Sequence, residues 1–289
     1  MRKLASFTAV LFLLLTACGG EADVDGSGTE GAATTAPDQT ETGETSDSTP
    51  AGEFDTVTDG VLTVGTELPA PPFWIGDDYE SITGGYEVDL AREIASRLGL
   101  GDVEFVEVPF AGLVAGQQCP CDLALAQVTI TDERAEVVDF TSSYFDANQG
   151  VLVNEGTEVP DLETAKSLQW GAQLNTTGAF YVEETIQPEA ELQIYNTVVD
   201  AFNALRAEQV DAVMLDTPIV LGEASQPDSG FEVVGQFETG EEYGGVLAKD
   251  SPNTPIVSGI IDELREEGFL DELGAEYFND PASVPFIES

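Results

Sequence analysis

The sequence predicts an α/β fold built of two similar lobes that face each other across a cleft, and three observations predict it. From Gly60 onward, short apolar strands alternate with helical patterns. A second copy of the same order starts near residue 168. Leu62-Thr-Val-Gly65-Thr-Glu67 parallels Leu168-Gln-Trp-Gly171-Ala-Gln173, and Phe110…Leu113…Asp122-Leu-Ala-Leu-Ala-Gln127 parallels Phe202…Leu205…Asp211-Ala-Val-Met-Leu-Asp216. In both copies a polar residue stands two positions after the first strand's Gly (Glu67, Gln173), and another five positions after the Asp that opens a later strand (Gln127, Asp216). Open α/β sheets bind ligands outside the carboxyl ends of their strands, so four polar strand ends point to a cleft between the lobes. Chance similarity of short α/β segments is the alternative reading of the repeat.

The elements follow in order. Residues 1–17 combine a cationic Met1-Arg2-Lys3 with an apolar run from Leu4 to Leu15, the pattern of a secretory signal and too short for a spanning helix. Leu15-Thr16-Ala17-Cys18 resembles a bacterial lipobox, in which the Cys becomes the lipidated first residue; an ordinary small-residue cleavage site is the alternative. Acyl chains supply about 0.8 kcal/mol per buried CH₂, so an acylated Cys18 holds a protein to a membrane without spanning it. Residues 19–59 carry eleven acids, twelve Ser or Thr, no Lys or Arg and only Phe54 as an aromatic. That composition buries too little apolar surface to offset chain entropy, so residues 18–59 are expected to form an acidic disordered tether. Val61–Val64 reads as a strand. Val88 to Leu98 reads as a helix with Leu90, Ile94 and Leu98 on one face and Gly99 at the C-terminal cap. Val103–Val108 and Leu123–Val128 read as further strands, with a helical turn from Phe110 to Gln118 between them. In the second copy, a strand around Gln169–Ala172 is followed by a helix from Gly178 towards Thr185.

Composition closes several routes. Of 289 residues, 55 are acidic, 9 are basic and none is histidine, a formal net charge of −46. No His-dependent triad or His metal site is available, and no basic surface exists to neutralise a phosphate backbone. Nucleic acid and anionic lipid headgroups are therefore poor partners. The acidity suits a soluble surface in high salt, where screening keeps self-repulsion tolerable. Cys119-Pro120-Cys121 either closes a small disulfide or stays as two thiols; with Cys18 lipidated the remaining pair is even, which favours the bridge. No zinc spacing is present, and neither metal nor cofactor is expected.

Two residues and one segment attract attention as binding groups. Arg134 lies in the first turn of a short helix after Thr131, a plausible N-cap, where its charge opposes the helix dipole. Its planar fork matches a carboxylate, while a surface ion pair with Asp132 or Glu136 is the other reading. Gln173-Leu174-Asn175-Thr176-Thr177-Gly178 joins a strand to a helix N-terminus, where unpaired N–H groups suit an anion; N-capping by Asn175 or Thr176 explains the same residues. Asp216 ends a strand, and Thr217-Pro218 after it looks like an N-cap followed by Pro at the first helical position, which frees Asp216 to receive an ammonium. In a chain this acidic, a solvated Asp216 is the other reading. Phe110, Phe73 and Trp74 are candidates for apolar walls. Glu67 is a candidate contact for a polar or cationic ligand side chain.

Gly85-Tyr-Glu-Val-Asp-Leu-Ala-Arg-Glu-Ile-Ala95, Asp122 through Arg134 and Val138-Asp-Phe-Thr-Ser-Ser-Tyr-Phe145 together resemble the signatures of family 3 extracellular solute-binding proteins, the polar amino-acid receptors of ABC importers. The resemblance runs from about Gly60 to Phe278. It implies a type II periplasmic-binding fold with a two-stranded hinge and an interlobe ligand cleft, residues 60–152 and 244–289 forming the first lobe and 153–243 the second. It also implies roles: Arg134 for the ligand α-carboxylate, assisted by Thr129 and Thr177; Asp216 for the α-ammonium; Phe110 stacking on the side chain; Glu67 and Gln127 at side-chain or pocket-edge contacts, with Gln173 added as a binding candidate from its place in the repeat. Two departures stand out. Ala70 replaces the usual aromatic before the Pro-Pro-Phe stretch, and Asn175 replaces the Gly usual before the Thr pair. The implied function is a monomeric, extracytoplasmic, lipid-anchored receptor that captures a polar or cationic L-amino acid and delivers it to an ABC permease. The same fold includes extracellular cyclohexadienyl dehydratases, and that enzyme is the alternative. A sensor ectodomain would need a spanning helix and a cytoplasmic output, neither of which the sequence contains.

Overall fold

Continuous apolar runs mark strands covered on both faces, as at Val61–Thr66 and Ala212–Asp216, while the edge strands Asp102–Glu107 and Gln193–Tyr195 carry polar, exposed residues. A computed structural model describes residues 54–76, 78–278 and 283–288. The signal segment, Cys18 and the tether as far as residue 53 lie outside the described residues. Residues 54–59, which the sequence assigns to the tether, are folded onto the first lobe. Phe54 packs against its core, Asp55 N donates to Asn253 Oδ1 (3.2 Å) and Val57 N to Asp122 Oδ1 (2.6 Å). The composition of the acidic stretch hides its end, because one aromatic and two backbone donors suffice to anchor it.

The first lobe is laid down as β1 (Val61–Thr66), α1 (Tyr86–Arg97), β2 (Asp102–Glu107), α2 (Phe110–Val114), β3 (Leu123–Ala124) and α3 (Asp132–Ala135). The long strand β4 (Val138–Asn154) leads to the second lobe: α4 (Leu162–Ser167), β5 (Trp170–Gln173), α5 (Thr177–Tyr181) with a π-helical turn at Val182–Ile186, β6 (Gln193–Tyr195), α6 (Val198–Arg206), β7 (Ala212–Asp216) and α7 (Thr217–Ala224). A second long strand, β8 (Phe231–Ala248), returns to the first lobe, which α8 (Thr254–Glu266) and α9 (Phe269–Tyr277) complete. The sheet order is β2-β1-β3-β8-β4-β7-β5-β6. β1 runs parallel to β2 and β3, β5 parallel to β6 and β7, and the antiparallel pair β4/β8 passes through both lobes.

Alternation decides which face each side chain covers. Leu123 and Leu125 join Leu62, Val64, Leu90 and Ile94 in one first-lobe core, while Ala124 and Ala126 join Val108 and Phe110 in the other. In the second lobe Ala212 and Met214 face Trp170 and Phe237, and Val213 and Leu215 face Ala201 and Leu205. The sequence repeat is structural. Asp122 Oδ2 accepts from Thr63 N and Asp211 Oδ2 accepts from Gln169 N, both at 2.8 Å, so the same carboxylate clip opens both copies.

Three boundaries differ from the sequence reading. The second lobe begins earlier on β4 than residue 153: pairing with β7 starts at Gln149, and β4 crosses opposite Glu241–Tyr243 of β8. The crossing is the polar stretch Asp146–Gly150, ahead of the apolar Val151–Val153 that fills the second-lobe core, and only the pairing with β7 shows that Gln149 already belongs to that lobe. The last described residues belong to the second lobe, since Ile287 lies in the core with Trp170 and its N–H donates to Gln236 O (2.8 Å). The strand expected over Leu123–Val128 keeps only two ladder residues, because the chain turns at Gln127 (φ 51°).

Candidate functional site

Arg134 is held by its own helix start. Thr131 Oγ1 accepts from Arg134 N (3.2 Å), a cap contributing about 1 kcal/mol, and the side chain is carried inward to 7% exposure. Its Nη1 donates to the Thr129 carbonyl (2.7 Å) on the first lobe and Nη2 to the Asn175 carbonyl (2.9 Å) on the second. The guanidinium carbon lies 5.6 Å from the centre of the Phe110 ring. Among the described residues no carboxylate pairs with Arg134, so the surface ion pair is not formed. Burial pulls its proton affinity down, with Asp216 and Glu241 opposing, yet a guanidinium keeps its charge.

Asp216, 4% exposed, occupies the N-cap position of α7 but makes no capping hydrogen bond. The cap expected at Thr217 is not there: Thr217 is already helical, and its hydroxyl donates to Gln236 Oε1 (3.0 Å). The Asp216 carboxylate instead accepts from Gln149 Nε2 and Tyr243 OH, both at 2.5 Å. Burial, then the charge of Glu241, push its pKa from an ordinary 3.8 to about 7. The folded protein therefore keeps a proton that the unfolded chain releases, and this group's contribution to stability falls as pH rises from about 4 to about 7 and is flat above. Melting temperatures of wild type and Asp216→Asn across that range are expected to diverge in the variant's favour; parallel curves would contradict the assignment.

The repeat brings matched residues face to face. Gln173 Nε2 of the second lobe donates to Glu67 Oε1 of the first (2.6 Å), and Glu67 Oε2 accepts from Phe110 N (2.8 Å). Burial raises the Glu67 pKa. Asn175 adopts φ 63°, so the residue standing where a Gly is usual takes the left-handed conformation that Asn tolerates. Thr176, not Asn175, caps the next helix by accepting from Ala179 N (3.1 Å). The Thr129 and Thr177 hydroxyls both donate to Glu241 Oε2, at 2.6 and 2.7 Å.

Gln127 is placed by a group that sequence reasoning passed over. Glu87, fully buried, accepts from Gln127 N (3.0 Å), from Gln127 Nε2 and Trp74 Nε1, and from Tyr144 OH. Its position on the apolar stripe Glu87–Ala91–Ile94 of α1 was the available signal, an acid where the pattern demands a core residue. Burial raises its pKa against these donors. Glu87→Ala orphans four buried donors at about 1–3 kcal/mol each, and allowing for relaxation a net loss of about 3–5 kcal/mol is expected, read as a melting-temperature drop of about 10 °C. A shift of under 2 °C would refute the role.

Eight of the side chains named from the sequence, Glu67, Phe110, Gln127, Thr129, Arg134, Gln173, Thr177 and Asp216, line one interlobe cavity of ≈ 40 Å³, or ≈ 510 Å³ with its mouth included. Phe73 and Trp74 do not line it. Both are buried in the first-lobe core, Phe73 among Tyr86, Phe145, Tyr243 and Phe278, and the apolar walls come from Pro69, Ala70, Ala126, Val198, Leu215 and Ile219. Gln149, Glu241 and Tyr243 were missed because they sit on the hinge strands, where only tertiary pairing reveals what they face. Cys119 and Cys121 form a disulfide beside the core that holds Phe110. A zwitterion fits the charges: a buried guanidinium from one lobe and a buried carboxyl from the other.

Residues 62–280 match the sequence model of bacterial extracellular solute-binding proteins, family 3. The chain is 30% identical over 205 residues to the ABC transporter glutamine-binding protein GlnH of Bacillus subtilis, covering 68% of this chain and 74% of that one. It is 26% identical over 223 residues to the L-cystine-binding protein TcyJ of Escherichia coli, covering 76% and 83%. Among solved structures, an ancestral arginine-binding protein bound to arginine superposes with a TM-score of 0.68 at 32% identity, covering 76% of this chain and 99% of that one.

Proposed function

Because the chain belongs to the bacterial extracellular solute-binding proteins of family 3, we propose that it is an extracytoplasmic receptor that closes over an L-amino acid and delivers it to an ABC permease. One observation carries the reading: Arg134 and Asp216, contributed by opposite lobes, are buried against the same cavity without a salt bridge to any described residue. Carboxylate to Arg134 and ammonium to Asp216 would supply the missing partners. A ligand held by both lobes favours closure by its differential affinity for the closed state. The relatives matched are named as binding proteins, which supports a receptor over the dehydratase alternative.

Among the cavity-lining side chains the acids Glu67 and Asp216 outnumber Arg134, so the field favours a cationic or neutral polar side chain. A thermal-shift screen of the twenty amino acids plus ornithine and citrulline, at low and high salt, is expected to stabilise the protein with L-arginine or L-glutamine and not with L-glutamate. Absence of any shift, with calorimetry equally blank, would overturn the reading.

The lipobox-like Leu15-Thr16-Ala17-Cys18 supports anchoring by a lipidated Cys18. Detergent-phase partitioning is expected to retain the expressed wild type and release Cys18→Ala.

A further inference from the structure

Glu241 stands on the hinge stretch of β8, opposite Ala147 of β4; it is half-buried and lines the hinge-side pocket next to the cavity, while its carboxylate reaches the hydroxyls of two cavity-lining threonines. Oε2 takes one hydroxyl from each lobe, Thr129 (2.6 Å) and Thr177 (2.7 Å). Oε1 takes Gln149 Nε2 (2.9 Å), and the same nitrogen reaches Asp216 Oδ1 (2.5 Å) and Thr177 Oγ1 (3.2 Å). An amide nitrogen carries two protons, and here it faces three acceptors, two of them carboxylate oxygens. At the other end of that amide, Gln149 Oε1 is buried with no hydrogen-bond partner. Among the described residues, neither Glu241 nor Asp216 is salt-bridged to a Lys or Arg. The place is thus short of positive charge, which is costly for the buried Asp216 carboxyl above all. A primary ammonium supplies that charge from one atom, with three donors.

We propose that Glu241 is a second acidic anchor of the site, sharing with Asp216 the ammonium group of the bound amino acid. The inference rests on the amino-acid-binding reading and extends it to a residue on neither lobe's strand ends. It also reassigns the two threonines: their hydroxyls orient Glu241, and because they come from opposite lobes the anchor is fully seated only when the lobes meet. Glu241 therefore links recognition of the ammonium to closure.

Calorimetry tests this with L-arginine and L-glutamine and with their des-amino counterparts, 5-guanidinopentanoate and glutaramate; analogues too weak for direct titration are read by displacement of the amino acid. Glu241→Gln is expected to weaken the amino acids by about tenfold or more, as loss of a charge-assisted hydrogen bond does, and to leave the des-amino compounds within about twofold. Equal loss for both sets, or none for the amino acids, would overturn the anchor and leave a strut between the lobes. Glu241→Asp, which keeps the charge, is expected to recover part of the loss; recovery of none would count against an electrostatic role. If wild type binds neither amino acid while the twenty-two-compound screen finds another ligand class, the receptor reading and the anchor fall together. A wild type that binds with an indifferent Glu241→Gln removes the anchor alone.

Discussion

Replacing Arg134 by alanine is expected to weaken amino-acid binding by about a hundredfold or more, the scale set by losing two charge-assisted hydrogen bonds at about 1.5–3 kcal/mol each. The side chain is 7% exposed and held between the Thr129 and Asn175 carbonyls, so it is oriented before a carboxylate arrives. Arg134→Lys is expected to recover under a tenth of the affinity, because an ammonium cannot reproduce the two parallel donors of a guanidinium. Both variants should keep a cooperative melt, since the core on either side is independent of this group. Calorimetric affinity equal to wild type in Arg134→Ala would remove the carboxylate assignment.

The second large effect is steric and lies outside the pocket. Gly222 of α7 packs against the first lobe so closely that a Cβ would stand 2.0 Å from the Pro71 carbonyl oxygen and 3.0 Å from Pro72 Cδ. Backbone cannot yield as a flexible side chain does, so Gly222→Ala is expected to hold the lobes apart and weaken ligand binding by about tenfold to a hundredfold, the range of overpacking penalties near 1–3 kcal/mol. Alanine at the same time favours the helix by about 1 kcal/mol, so ligand-free thermal stability should hold or rise. Opposite signs in the two measurements, with small-angle scattering showing no ligand-induced compaction, distinguish blocked closure from damaged folding. Wild-type affinity in this variant would mean that the Gly222–Pro71 approach is not part of the bound form.

Much of the site was legible because it stands at repeated places. Glu67 and Gln173 follow matched glycines, and Gln127 and Asp216 follow matched aspartates; the structure puts all four around one cavity and hydrogen-bonds the first pair across it. Phe73 and Trp74 show the limit of that reasoning. An aromatic beside a predicted cleft is equally suited to a core, and Glu87 decides the matter for Trp74 by accepting its indole N–H. Asn175 shows the converse: the residue type departs from Gly, while the backbone conformation is retained.

Local pattern by itself determined the α/β class, the internal repeat and the strand-end groups, because periodic burial and strand termini are short-range properties of a chain. Tertiary structure alone decided that Arg134 spans both lobes, that Asp216 shares Gln149 with Glu241, and that Glu87 bends the chain at Gln127. Those relations join residues from 5 to 92 positions apart. They depend on where two long strands cross, and a hydrogen bond between such distant groups leaves no trace in the spacing of either.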